Sequence, residues 1–231
     1  MGVIAEAAAW LTDPQNWSGT SGIPNRLFEH VQISGMTVLA AAMAAVPLGL
    51  LIGHTGKGRF LVVSLSNAGR AIPSFAILAL ALPITIKMGL GLGFWPTLIA
   101  LFVLAVPPIL TNTYVGVAGV DRDVLEAARG MGMGGGQILR RLELRLAAPL
   151  IMVGLRTAST EVVATATLAA LVAWGGLGRY IIDGFAVRDN ARILGGAILV
   201  ALLAIATDLF MGTVERLVRP RTASPSGLES A

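Results

Sequence analysis

Apolar residues in this chain fall in long runs separated by short polar intervals. Crossing a bilayer takes about 20 mostly apolar residues. Five runs meet that length, at 31–53, 60–84, 94–119, 147–173 and 193–214. The pattern predicts an all-α integral membrane protein with five transmembrane helices. Proline interrupts four of the runs, at Pro47, at Pro73, at Pro107 with Pro108, and at Pro149. Such breaks are tolerated where neighbouring helices or a water-lined cavity satisfy the freed backbone groups. The first and fourth runs are rich in small residues, which favours close packing between helices.

Composition agrees with the pattern. Hydrophobic residues make up 55% of the 231 residues, against about 45–50% in soluble domains. Charged residues supply only 13%, about half the usual share. A mean hydropathy of +0.77 excludes a solvated globule. The absence of cysteine excludes disulfides, thiolate chemistry and Cys-ligated metals. The opening MGVIAEAAAWLTD has neither a basic n-region nor an apolar h-region, so it does not read as a cleaved signal peptide.

The net charge of +4 arises from basic residues beside the apolar runs, where they set topology rather than bind nucleic acid. With five spans the termini lie on opposite sides. One side receives Lys57, Arg59, Arg122, Arg129, Arg140, Arg141, Arg145, Arg216, Arg219 and Arg221. The other receives Arg26, Lys87, Arg179, Arg188 and Arg192, half as many. The positive-inside rule therefore predicts an external N-terminus and a cytoplasmic C-terminus. On this scheme residues 1–30 form an external segment with Trp10 and Trp17 at the membrane interface. Residues 31–217 form the transmembrane domain, and 218–231 a disordered cytoplasmic tail.

The polar insert 121–145, between the third and fourth runs, is patterned rather than featureless. Asp123-Val-Leu-Glu126 has capping-box spacing, and a short helix over 124–131 is expected to follow. Ala127 and Ala128 give it a slim face, and the glycine-rich 131–136 is expected to break it. A second short helix over 137–144 is expected to set Ile138, Leu139 and Leu142 on one side and Arg140, Arg141 and Glu143 on the other.

The run Glu126-Ala127-Ala128, three residues, Gly132, nine residues, then Leu142-Glu143-Leu144 resembles the EAA loop of type I ABC importer permeases. The resemblance extends through 72–84, 107–133, 154–172 and 175–184. It is closest to the branch that imports glycine betaine, choline, carnitine and proline betaine, and it covers about 27–217. It implies that Glu126, Ala127, Ala128, Gly132, Leu142 and Leu144 belong to a coupling helix that docks on cytoplasmic ABC ATPase subunits. It also implies an extracytoplasmic solute-binding protein and a homo- or heterodimer with a second permease. ATP and Mg would be used by the ATPase, with no cofactor on this chain. The location implied is the plasma membrane of a bacterium or archaeon. Three departures from the pattern stand out: Arg145 replaces the usual Pro, Gly134-Gly135-Gly136 replaces a more structured segment, and Arg70 replaces a common Gln. The triplet is expected to loosen the loop.

Four ionisable residues fall within the spans, where charge is costly and functional by default: Arg70, Arg156, Glu161 and Asp208. Arg70 and Glu161 lie at similar depth, so two readings stand side by side, an internal ion pair or separate contact with a watery pathway. Arg156 is expected to snorkel or to bond carbonyls freed near Pro149. Asp208 is expected to pair with a loop arginine. Trp95, Tyr114, Trp174, Tyr180 and Phe185 form no readable cation–π cage for a quaternary amine.

Other functions fit less well. Import of another small solute, such as an amino acid, shares most of these features. A proton-coupled secondary transporter would use the buried charges but leaves the loop unexplained. An intramembrane hydrolase lacks a base, since His30 and His54 lie at opposite ends of the first span, and neither has a metal-ligand partner at helical spacing. There is no Walker A sequence, so ATP hydrolysis falls to a partner.

Overall fold

A computed structural model of the chain describes residues 2–60, 62, 64, 69 and 72–218. Helices α1 (Val3–Thr12), α2 (Ile23–Thr55), α3 (Ser74–Lys87), α4 (Phe94–Ala118) and α5 (Arg122–Gly130) are followed by α6 (Gly135–Ile138). A π turn over Leu139–Glu143 joins α6 to α7 (Leu144–Thr165), and a 3-10 segment, Ala166–Val172, extends α7. Helices α8 (Gly178–Val187) and α9 (Asn190–Val218) complete the chain. Among the described residues, four helical stretches are long and apolar enough to cross a membrane: Ile23–Thr55, Phe94–Ala118, Gly135–Val172 and Asn190–Val218.

The expected second span, 60–84, differs. Part of it lies outside the described residues. The rest is interrupted before Pro73, whose extended backbone (φ −60°, ψ 131°) caps the 14-residue α3. A proline there cannot donate into a helix and biases the preceding residue away from helical angles. The other prolines sit inside helices, Pro47 in α2, Pro107 and Pro108 in α4, and Pro149 in α7. The N-terminal region also differs from expectation. It contains α1, and α2 begins at Ile23 rather than at 31, with Pro24 in its first turn.

Helix α4 is the centre of the bundle, and glycines bring its neighbours close. A Cβ on Gly49 of α2 would stand 2.7 Å from Thr113 Cβ, and one on Gly53 would stand 2.6 Å from Val117 Cβ. On the other side, a Cβ on Gly154 of α7 would stand 2.8 Å from Asn112 Cβ. The core between them holds Ile33, Ala41, Ala45, Ile109, Leu110 and Val162. Outward-facing residues of α9, such as Leu202, Ile205 and Leu209, are apolar and exposed, as a lipid-facing surface requires.

The end of the bundle away from the 121–145 loop is fastened by side chains of α2. Glu29 accepts from the Gly176 N–H at 2.8 Å. The His30 Nδ1 accepts from the Leu177 N–H at 3.2 Å, so its Nε2 carries the proton donated to the Val163 carbonyl at 2.9 Å. His30 is thus a buried structural residue. Trp10 meets Tyr180 edge to face, with ring centroids 5.0 Å apart.

Candidate functional site

Two regions carry polar chemistry: a cleft at the level of the apolar spans, and the loop at one end. The cleft has a volume of about 490 Å³ and opens between α3, α4 and α7. Thr111, Asn112, Thr157 and Glu161 give it hydroxyls, an amide and a carboxylate, while Pro107 and Pro108 form part of its wall. Two consecutive prolines in α4 leave the backbone there without two N–H donors. The Asn112 amide donates to the Pro108 carbonyl at 2.8 Å, and the Thr113 hydroxyl donates to the Ile109 carbonyl at 2.7 Å. Both are back-bonds from a side chain to the carbonyl one turn earlier in the same helix, just after the proline pair.

A second groove shares Val153, Thr157 and Glu161 with the first and continues to Arg156, Asp208 and Glu215. Here the Arg156 guanidinium grips Asp208 with both prongs, Nε to Oδ1 and Nη2 to Oδ2, each at 2.7 Å. Its Nη1 donates to Glu215 Oε2 at 3.2 Å. Asp208, Gly212 and Glu215 occupy successive turns of one face of α9. A Cβ on Gly212 would lie 3.2 Å from the Arg156 Cζ, so the glycine makes room for the planar cation.

This arrangement corrects two expectations. Arg156 neither snorkels nor bonds the carbonyls near Pro149, because two carboxylates on α9 satisfy it. Asp208 pairs with that span arginine and not with a loop arginine. Glu215 and Gly212 were not singled out by the sequence reading, although the Asp–x3–Gly–x2–Glu spacing marks them as one helical stripe. Arg70 lies outside the described residues. Glu161 lines both grooves.

In the loop, the helix starts earlier than predicted. Asp121, not Asp123, is the cap, and its Oδ1 accepts from the Asp123 N–H at 2.9 Å. Helix α5 ends in a Schellman arrangement. The Met133 N–H reaches the Ala128 carbonyl at 3.1 Å and the Gly132 N–H reaches the Arg129 carbonyl at 2.9 Å. Gly132 sits at φ +81°, a left-handed position, and a Cβ there would touch nothing within 4 Å. The glycine is therefore required by the backbone of the stop itself. Glu126 and Ala127 are exposed on α5, and Ala128 is buried.

The predicted separate second helix is absent as such. Gly135 and Gly136 form the first turn of α6, and the π turn carries the chain straight into α7 through Arg145. The glycine triplet therefore starts a helix instead of loosening the loop. Gln137 contributes by accepting from the Gly134 N–H at 3.0 Å. Leu142 is half-buried and Leu144 exposed. Glu143 was expected on the polar side with Arg140 and Arg141, yet it is buried, and its Oε2 lies 2.6 Å from His54 Nδ1.

Phe94 contacts Trp95 and Trp174, with centroids 5.2 and 5.4 Å apart. Tyr180 packs with Trp10, while Phe185 is exposed.

Comparisons with known proteins agree with this architecture. Residues 45–222 match the family described as binding-protein-dependent transport system inner membrane component. The choline transport system permease protein OpuBB of Bacillus subtilis (strain 168) is 40% identical over 195 residues, covering 84% of this chain and 88% of that one. The glycine betaine/carnitine/choline transport system permease protein OpuCB of the same organism is 40% identical over 193 residues, covering 84% and 87%. The osmoprotectant import permease protein OsmY of Salmonella typhimurium is 33% identical, covering 84% and 80%. Inward-facing structures of the MetNI methionine ABC transporter share the fold. One has a TM-score of 0.75 at 20% identity, with 90% of this chain and 100% of that one covered. The four long apolar helices, the polar cleft and the patterned loop are thus those of a multi-pass membrane protein, and the chain belongs to the binding-protein-dependent transport system inner membrane component family.

Proposed function

We propose that this chain is the membrane-spanning subunit of an ATP-driven importer for quaternary-amine compatible solutes such as glycine betaine, choline, carnitine or proline betaine. The observation that carries the reading is its 40% identity, over most of its length, to permeases named for choline and for glycine betaine, carnitine and choline. The cleft is consistent with that cargo. Its hydroxyls, amide and carboxylate offer polar contact to a passing zwitterion or cation, and none of the described residues lining it is aromatic. Specificity then rests with an extracytoplasmic binding protein.

In this reading the loop end faces the cytoplasm and α5 seats in a groove of an ABC ATPase subunit, with Glu126, Ala127, Ala128 and Gly132 at or beside the contact. Closure of two ATPase subunits on ATP moves the loop, and the loop moves the spans. The chain supplies half a pathway, so the cleft faces a second permease, either an identical copy or a paralogue. ATP and Mg belong to the ATPase.

The test is purification of the tagged chain in mild detergent, paired with radiolabelled glycine betaine uptake in cells lacking the gene. The expected result is a co-purifying ATPase and lost uptake. A co-purifying ATPase with normal betaine uptake moves the assignment to another solute. Absence of any ATPase, under conditions where a control importer stays intact, refutes the importer reading.

A further inference from the structure

Glu143 poses a question that the docking role of the loop leaves open. It is 4% exposed, at the end of the π turn where the loop enters α7. A carboxylate buried without a partner is strongly unfavourable. Its partner is the imidazole of His54, in the last turn of α2, with Nδ1 to Oε2 at 2.6 Å, the short separation of a charge-assisted hydrogen bond.

The imidazole has a second neighbour in the loop. A Cβ on Gly135 would stand 3.4 Å from His54 Nε2, so the ring lies between the first turn of α6 and the end of the π turn. One α2 side chain therefore bonds Glu143 and lies beside Gly135, at the two ends of the segment 135–143. The wide π turn supplies the geometry, since such turns reorient side chains and recur at functional positions.

Helix α2 is rigidly seated on α4 through Gly49 and Gly53, where any larger residue would collide with Thr113 and Val117. The loop is continuous with the bundle at both ends, through residues 119–121 into α4 and through the π turn into α7. The contact from Glu143 to His54 adds a cross-tie, which braces the α7 end of the loop against α2 and, through it, α4.

We propose that the His54–Glu143 contact is the joint that locks the α7 end of the loop to the α2–α4 pair, so that both walls of the bundle move together when the ATPase closes. Both are positioning residues, and the inference rests on the importer reading above. Without the joint the loop pulls on α4 and α7 independently, and ATP turnover is no longer matched by solute movement.

The experiment compares the complete importer, reconstituted in liposomes, carrying the wild-type chain, His54→Ala, Glu143→Gln, or the exchanged pair His54→Glu with Glu143→His. Co-purified ATPase, ATP turnover and glycine betaine moved per ATP are measured for each. The expected result is normal ATPase content in all four. Solute moved per ATP falls about ten-fold in each single variant, within the span of measured coupling between sites, and recovers in the exchanged pair. Unchanged solute per ATP in both single variants overturns the joint, as does loss of the ATPase from them, which would make the pair a support of the docking surface. If the wild-type assembly itself moves no solute, the importer reading fails and the joint falls with it.

Discussion

Gly132 ends α5 at φ +81°, and the Schellman bonds on either side of it depend on that angle. A side chain there is strained by about 1–2 kcal/mol, least for asparagine, which tolerates the left-handed region. Gly132→Asn is therefore expected to retain most uptake and Gly132→Ala less, while Gly132→Asp, which tolerates the angle but adds a negative charge at the C-terminal end of α5 and at the docking contact, is expected to retain least, with all three inserting in the membrane. Equal uptake in the three variants would show that the stop is not what the glycine provides. Arg156 is the second residue whose geometry decides its role. Arg156→Lys keeps the charge but loses the two-pronged grip on Asp208. The expected outcome is a lower melting temperature in detergent for Arg156→Lys. A larger loss is expected for Arg156→Ala, partly recovered when Asp208→Asn and Glu215→Gln are added. At this scale the sequence was informative where spacing is local. Glu126 to Gly132 was legible as a pattern, whereas His54 and Glu143, 89 positions apart, meet only through the fold.

Apolar runs located α2, α4, α7 and α9, because length and hydropathy act along a single helix. Boundaries were less legible. Helix α2 begins earlier because Pro24 fits a first turn, and 60–84 is interrupted because Pro73 starts a helix better than it continues one. The loop's second helix merged with α7, since a π turn has no compositional signal that separates it from an α turn. Contacts between helices were the least legible, yet glycine controls them. A Cβ on Gly154 meets Asn112 Cβ at 2.8 Å and the Pro108 carbonyl oxygen at 2.9 Å. Gly154→Ala is expected to force α4 and α7 apart at a cost of about 1–3 kcal/mol, read as a fall in melting temperature. The change should also alter the cleft, since Pro108 and Asn112 line it. An unchanged melting temperature would mean that the helices separate freely.

Over the whole molecule, one face is polar from the cleft to the Arg156 cluster, and α9 presents an apolar surface. A polar face among apolar spans is costly against hydrocarbon, so it is expected to meet water or another protein surface. The chain has no cysteine of its own, which makes this directly measurable. Thr157→Cys is expected to react with a water-soluble thiol reagent in the assembled importer, and Leu202→Cys is expected to stay unreactive. Equal labelling would place the cleft face against lipid. A single sequence could indicate that polar residues lie within spans, but the placement of Thr157, Glu161 and Arg156 on one surface required the helix rotations.

The notch that receives Trp10 is made by Gly195, near the far end of the chain, where even one methyl group would collide with the indole. The packing of α1 is therefore completed only by a helix more distant in the chain. Until α9 is in place, Trp10 lacks its notch. Helix α1 is made before α9 and settles only with it, so changes to α1 are expected to act on a late step of assembly.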